Sequence, residues 1–143
     1  MSDEPLVSVV LIGFNDVGRI GRALESIRRQ TLRSIEIIVV DDASTDGTAE
    51  FVESVAVSDS RIRLLSRSEN SGGCSAPRND GLRMARAPWV MFCDSDDEYD
   101  MHACATLLRA AEEWNADVVC GTAIRHDVAR DRDKRWRPEL HSA

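Results

Sequence analysis

The sequence predicts an α/β fold, a mostly parallel sheet with helices on both faces. Three observations carry that expectation. Apolar, β-branched runs recur at Val7–Ile12, Glu36–Val40 and Trp89–Cys93, the pattern of strands buried on both faces of a parallel sheet. Between them the apolar residues space out at helical intervals, giving a strand–helix alternation repeated three or four times. Each run also stops abruptly in small polar or acidic residues, at Asn15-Asp16, Asp41-Asp42 and Asp94-Ser95-Asp96-Asp97. With right-handed crossovers, these strand ends gather on one edge of the sheet, where ligands bind in open α/β sheets.

Taken in order, Val7–Ile12 is a strand broken by Gly13-Phe14-Asn15-Asp16, with Asn15 or Asp16 as the cap of the following helix. That helix carries Ile20, Leu24 and Ile27 on one face and runs to Gln30, with Arg22, Glu25, Arg28 and Arg29 mostly on the solvated face. Glu36–Val40 is the second buried strand. The turn after it, Asp41–Thr48, offers Ser44, Thr45 and Asp46 as caps for a helix with Phe51, Val52 and Val55. Arg61–Leu65 alternates only partly and reads as a strand nearer an edge. Paired glycines at Gly72-Gly73 permit positive φ and close approach to a ligand, and lead into a helix over Ala76–Ala85 with Leu82 and Met84 as apolar members. Pro77 suits its first turn, and Arg78 carries the planar fork that matches phosphate oxygens, although a lone arginine there is more often a surface charge. After Trp89–Cys93 come a helix marked by Ala103, Leu107, Leu108 and Ala111 and a short strand at Asp117–Cys120. From Arg125 onward the chain is charged and aperiodic. It reads as a loop or a segment whose partner lies elsewhere, so the domain boundary is set at 1–124 and 125–143.

Composition narrows the function. A chain of 143 residues with 43% hydrophobic and 30% charged residues can build one domain with a real core. Its net charge of -7 repels a phosphate backbone and argues against nucleic acid as partner, but not against a phosphorylated small molecule whose charge a cation offsets. No apolar run approaches the ~20 residues of a membrane span, and the acidic start Met1–Pro5 lacks the basic region of a signal peptide. Cys74, Cys93, Cys104 and Cys120 have no zinc-ligand spacing, and reduced, mostly buried thiols in a cytoplasmic protein are expected.

The acidic end of Trp89–Glu98 is the focus of the chemistry. Asp94, Asp96 and Asp97 concentrate negative charge at a strand end, and hard divalent cations such as Mg²⁺ and Mn²⁺ choose oxygen ligands of this kind. The bland alternative is an acidic surface turn. Asp41 and Asp42 end a central strand at the same lip, so one of them is placed at the ligand, against the alternative that both only cap and solvate the turn.

Five motifs in order give the chain a resemblance to the N-terminal half of a family-two inverting glycosyltransferase of GT-A fold, a Rossmann-like nucleotide-binding half. Ser8–Asn15 matches the family's first strand end, and Ser26–Thr31 matches its helix ending in Gln-Thr. Glu36–Thr48 matches Glu-(apolar)-Ile-Val-Val-Asp-Asp-x-Ser-x-Asp-Gly-Thr almost letter for letter. Asn70–Asn79 matches Asn-x-Gly-x-x-x-Ala-Arg-Asn with one residue extra, and Asp94–Asp97 matches Asp-x-Asp-Asp. The resemblance implies transfer of a sugar from a nucleotide-sugar, commonly UDP-linked, to an acceptor hydroxyl with inversion. It implies a nucleotide-sugar site at Phe14, Asn15, Asp42, Arg78 and Asp94, with Phe14 near the base, Asp42 accepting from the base imide N–H, and Asp94 or Asp96 on the ribose or metal. It further implies Mn²⁺ or Mg²⁺ held by Asp94, Asp96 and Asp97 and bridging the diphosphate. A glycan or lipid-linked acceptor is the implied partner, and the site is cytoplasmic, with peripheral contact at the inner face of a membrane and homo-oligomerisation both left open. The physics is compatible: a cation at the acids stabilises charge on the leaving diphosphate, and an ionised carboxylate only accepts hydrogen bonds.

Departures are clear. Gly13-Phe14 replaces the usual Pro-x-Tyr, so the phenol hydroxyl is missing. No catalytic base is placed; His126, Asp127 and Glu139 are poor candidates, His102 and His141 read as surface residues, and Arg135-Trp136 comes too soon to be the family's Gln-x-x-Arg-Trp acceptor motif. The chain is thus expected to be a fragment of a longer enzyme or, as the alternative function, a non-catalytic nucleotide-sugar-binding module of a larger assembly. A nucleotidyltransferase would need a basic triphosphate loop in place of Gly13–Asp16. A phosphoacceptor domain would need a strand-end lysine, whereas Lys134 is the sole lysine.

Overall fold

The structure is a computed structural model describing residues 4–127 and 132–136. Its elements are β1 (Val7–Gly13), α1 (Ile20–Arg28), β2 (Ile35–Asp41), α2 (Thr48–Ala56), β3 (Ile62–Ser66), α3 (Ser75–Met84), β4 (Trp89–Asp94), α4 (Ala103–Glu113), β5 (Ala123–Asp127) and β6 (Arg132–Trp136). The backbone divides into two compact units, Met1–Leu108 and Arg109–Ala143.

In the first unit four strands form one sheet in the order β3-β2-β1-β4, and every pairing is parallel. The α/β expectation is met. All seven residues of β1 and all seven of β2 are buried, which explains their uninterrupted apolar runs: a central parallel strand has no solvated face. Alternation divides their side chains between two cores. Val7, Val9 and Leu11 pack with Ile20, Leu24, Ile27 and Val52 from α1 and α2, while Val10, Ile12, Ile38 and Val40 pack with Met84 at the end of α3. Each such fully buried aliphatic side chain stabilises the fold by about 1.5–3 kcal/mol. As anticipated, β3 lies at an edge. The other edge of this sheet is β4, and Phe92 within it is exposed, so the run at Trp89–Cys93 is less buried than its composition implies.

Register carries the strand ends to one rim. Gly13 is the partner of Asp41 and Ile12 the partner of Asp94, so the three polar features leave the sheet side by side. Motif residues on α1 and just beyond its end then fix the acidic segment that follows β4. Tyr99 N donates to Ser26 Oγ at 3.0 Å, and fully buried Gln30 donates to Asp100 O at 2.6 Å while its Oε1 accepts from Cys104 N at 2.9 Å. At the other end of the sheet, buried Glu36 accepts from Ser8 Oγ and Arg86 N (2.6 Å each), Arg86 Nε (2.9 Å) and Arg63 Nη1 (3.1 Å).

Several expectations are corrected. Asp117–Cys120 is not a strand; Val118 is exposed there, because its β propensity finds no neighbouring strand to pair with. The charged segment from Arg125 is not loop throughout: β5 pairs antiparallel with β6, with Ile124 opposite Arg135 and Asp127 opposite Arg132. Glu139 and His141 lie outside the described residues. Neither Asn15 nor Asp16 caps α1, which starts after Arg19 with no side-chain cap. Leu82 is exposed on α3, and buried Pro77 and Gly81 face the sheet instead. Of the four thiols, Cys93 and Cys104 are buried but Cys74 and Cys120 are exposed.

Candidate functional site

The rim holds a cleft of about 460 Å³ lined by Phe14 and Asp16 after β1, Asp42 after β2, Asn70, Gly72, Gly73, Cys74 and Pro77 before and within α3, and Asp94, Ser95 and Asp96 at the end of β4. Acids far apart in sequence thus share one concavity at the carboxyl ends of parallel strands.

Local structure explains each position. The loops after β1 and β2 are tied together: Asn15 N donates to Ser44 Oγ (2.8 Å), Thr45 N to Asn15 Oδ1 (2.8 Å), Asp16 N to Thr48 Oγ1 (3.0 Å) and Val17 N to Asp46 Oδ2 (3.1 Å). Asp46 Oδ1 also accepts from Thr48 N at 3.0 Å, but the N-cap of α2 is Gly47 with no side-chain cap bond, so none of Ser44, Thr45 and Asp46 is the cap the sequence offered. Asn15 therefore acts on the neighbouring loop, and it is not among the cleft-lining residues. Phe14 is 45% exposed, an aromatic face left uncovered in the cleft. Ala43, directly after Asp42, holds a left-handed φ of 65°, a conformation that costs an L-residue about 1–2 kcal/mol and swings the chain away from the strand.

Asp42 is 4% exposed. Its Oδ2 accepts from Asn70 Nδ2 and Ser71 N at 3.0 Å each, and the Ser71 hydroxyl, 2.8 Å away, has this oxygen and Gly73 O as alternative acceptors. Its Oδ1 lies 2.8 Å from Arg67 Nε, but the N–H is not directed at it, so among the described residues that buried oxygen has no hydrogen-bond partner.

Asp94, Asp96 and Asp97 place ligand atoms within 4.8 Å of one another. Asp97 does not line the cleft but completes the cluster. Burial first, then the charges of Asp96 and Asp94, raise the Asp97 carboxyl above its ordinary value. The Cys93 thiol beneath is pushed up to about 12 by burial and then by Asp97, Asp94 and Asp96. Three clustered oxygen donors with mutual repulsion fit a hard divalent cation, whose charge relieves that repulsion. Arg78 pairs with Asp94, Nη2 to Oδ1 at 2.6 Å, and this hydrogen bond raises the guanidinium above its ordinary value.

Two cleft residues that the sequence named only as parts of the polar strand ends were given no role at the site. Asp16, taken as a cap, accepts from the Ser95 hydroxyl and from the Arg19 guanidinium, and so ties the first loop to the acidic turn. Ser95 is 94% buried between the acids it separates, since its exposure is 6%. The signal was present only as a polar residue inside each motif.

No helix among the described residues is long and apolar enough to cross a membrane. In comparison with known proteins, the chain is 36% identical over 122 residues to the glycosyltransferase GlyG of Streptococcus pneumoniae, covering 85% of this chain and 40% of that protein. Among solved structures it is similar to Staphylococcus aureus TarS 1–349 in complex with UDP-GlcNAc, with TM-score 0.70 and 31% identity over 75% of this chain and 31% of that one. It is also similar to the mannosyltransferase PcManGT of Pyrobaculum calidifontis in complex with GDP-Man and Mn²⁺, with TM-score 0.67 and 29% identity over 83% of this chain and 34% of that one. The chain therefore spans less than half the length of each of these relatives. The family model for glycosyl transferase family 2 matches residues 8–141, and the chain belongs to that family.

Proposed function

We propose that residues 1–124 form the donor-binding domain of a glycosyltransferase that moves a sugar from a nucleotide diphosphate sugar, UDP-linked, to an acceptor hydroxyl with inversion, on the cytoplasmic side. The observation that carries this reading is the single cleft shared by Phe14, Asp42, Asp94 and Asp96 at the carboxyl ends of the parallel strands. Phe14 offers a face for base stacking, worth about 1–3 kcal/mol by analogy with other base–aromatic contacts. Asp42 offers an acceptor to the base N–H. Asp94, Asp96 and Asp97 are the residues that would hold Mn²⁺ or Mg²⁺. When bound there, the cation supplies positive charge against the negative charge that builds on the departing diphosphate. Arg78, paired with Asp94, would add a donor fork for the diphosphate once it leaves that carboxylate. The likeness to a TarS structure with UDP-GlcNAc and to a mannosyltransferase structure with Mn²⁺ supports the donor class and the metal. The acceptor is a glycan or lipid-linked hydroxyl.

Calorimetry with UDP, with and without Mn²⁺, tests the reading. UDP binds more tightly with Mn²⁺, and Asp96→Ala removes the metal-dependent part while leaving the metal-free affinity. Equal affinity under both conditions removes the metal assignment, and absence of UDP binding under either removes the donor assignment.

A further inference from the structure

We propose that Arg67 is a positioning residue for nucleobase recognition, holding the Asp42 carboxylate so that one of its oxygens stays free to accept a ring N–H. The proposal rests on the donor-binding reading above and deepens it. The two oxygens of Asp42 are used differently. Asn70 and Ser71 donate to Oδ2 and anchor it to the glycine-rich loop. Oδ1 lies 2.8 Å from Arg67 Nε, and among the described residues neither atom, both buried, has a hydrogen-bond partner. A charge contact that is not a directed bond restrains the carboxylate without occupying its lone pairs. A buried, unpartnered oxygen is costly, roughly 1–3 kcal/mol, and because Asp42 belongs to the cleft lining, a donor entering the cleft can relieve that cost.

Arg67 is itself held from behind. Its Nη1 donates to Asp80 Oδ2 on α3, and Asp80 Oδ1 accepts from Arg83 Nη1 at 2.5 Å. Its backbone N donates to Asp41 O at 2.9 Å. Asp42 lines the cleft and Arg67 does not, so Arg67 acts through Asp42. The chemistry selects a base class. Uracil and guanine present a ring N–H beside a carbonyl, which an acceptor-only carboxylate takes. Cytosine and adenine present a lone pair at that position, which the carboxylate repels.

The test is calorimetric titration of the chain with UDP and with CDP at one fixed Mg²⁺ concentration. The wild type favours UDP on the order of tenfold or more, the worth of one hydrogen bond to a charged group. Asp42→Asn, whose amide both donates and accepts, brings the two ligands within about threefold of each other. Arg67→Ala lowers the UDP/CDP ratio at least threefold, Asp80→Asn lowers it less, and Arg67→Lys retains more of it than Arg67→Ala. A purely structural lesion weakens both ligands equally and leaves the ratio unchanged. If Asp42→Asn loses the preference while Arg67→Ala and Asp80→Asn keep the wild-type ratio, the positioning role is overturned and the donor reading stands. If the wild type has no preference, or Asp42→Asn keeps it, the base-reading role of Asp42 fails and the proposal falls with it. Should Arg67→Ala show no cooperative melt, Arg67→Lys and Asp80→Asn decide by the same ratio.

Discussion

Arg78 on α3 and Asp94 at the end of β4 are joined by a 2.6 Å ion pair between Nη2 and Oδ1, so the proposed diphosphate-binding cation of the protein sits on one of the proposed metal ligands. The same carboxylate cannot give that oxygen fully to both partners. Both side chains are partly exposed, and such pairs are worth about 0.2–1 kcal/mol. Arg78→Ala should therefore tighten Mn²⁺ binding to the nucleotide-free chain by up to about fivefold, the equivalent of that range. It should weaken UDP binding in the presence of Mn²⁺, because the fork freed for the diphosphate is gone. Titration with Mn²⁺ alone and then with UDP separates the two effects; weaker Mn²⁺ binding in the variant would show that Arg78 is no competitor.

Glu36 makes the stability of the sheet acid-sensitive. Burial alone would raise its carboxyl, but hydrogen bonds from Ser8, Arg86 and Arg63 outweigh burial and hold it below its ordinary value of 4.5. A group depressed in the folded state stabilises fully above its unfolded value, and the contribution is lost as pH falls through the folded one. Glu36→Gln should cost about 2 kcal/mol at pH 7, as charged hydrogen bonds become neutral ones with partners that are themselves partly hydrated. Below pH 4.5 the wild type should lose its advantage and the two melting temperatures converge. Thermal melts across that window check this; a gap that stays constant with pH contradicts it.

What could be read from the sequence follows from how locally each feature is specified. β1 and β2 were legible because a central parallel strand demands an unbroken apolar run, and the parallel register then brings Gly13, Asp41 and Asp94 to one rim without further information. The convergence of Asp42 and Asp96 on one cleft is a consequence of topology. The pairs that shape the site were not legible. Ser95 reaches Asp16 across 79 residues of sequence, and Arg67 reaches Asp42 from the following strand's end, so neither leaves a periodic trace. The β5–β6 pairing was missed for a related reason: the sequence from Arg125 onward is charged and lacks the apolar alternation of a half-buried strand, so neither strand announces itself locally.

Gly81 measures how closely α3 lies on the sheet. A Cβ built there would stand 2.3 Å from Val10 Cγ1, inside a fully buried central strand that cannot yield. In an exposed helix, alanine for glycine gains up to about 1 kcal/mol. Here overpacking, typically about 1–3 kcal/mol, reverses the sign, and Gly81→Ala should lower the melting temperature. Val10→Ala in the same chain opens the space, so the double variant should be more stable than the sum of the single losses allows. Strict additivity would mean that α3 shifts freely over Val10.

Thiol reactivity reports occupancy of the cleft directly. Burial pushes the Cys93 thiol up to about 12 and the Cys104 thiol up to about 11, so neither is a thiolate at neutral pH, and both are shielded. Cys74 and Cys120 are exposed, and of these Cys74 lines the cleft. A brief maleimide pulse on the folded chain should add two adducts, at Cys74 and Cys120. UDP with Mn²⁺ should slow labelling at Cys74 severalfold and leave Cys120 unchanged, because only the first lies where the donor binds. Peptide mass spectrometry reads both sites in one experiment, with Cys120 as the internal control. Equal slowing at both would indicate a global change in the chain, and no slowing at Cys74 would place the nucleotide outside this cleft.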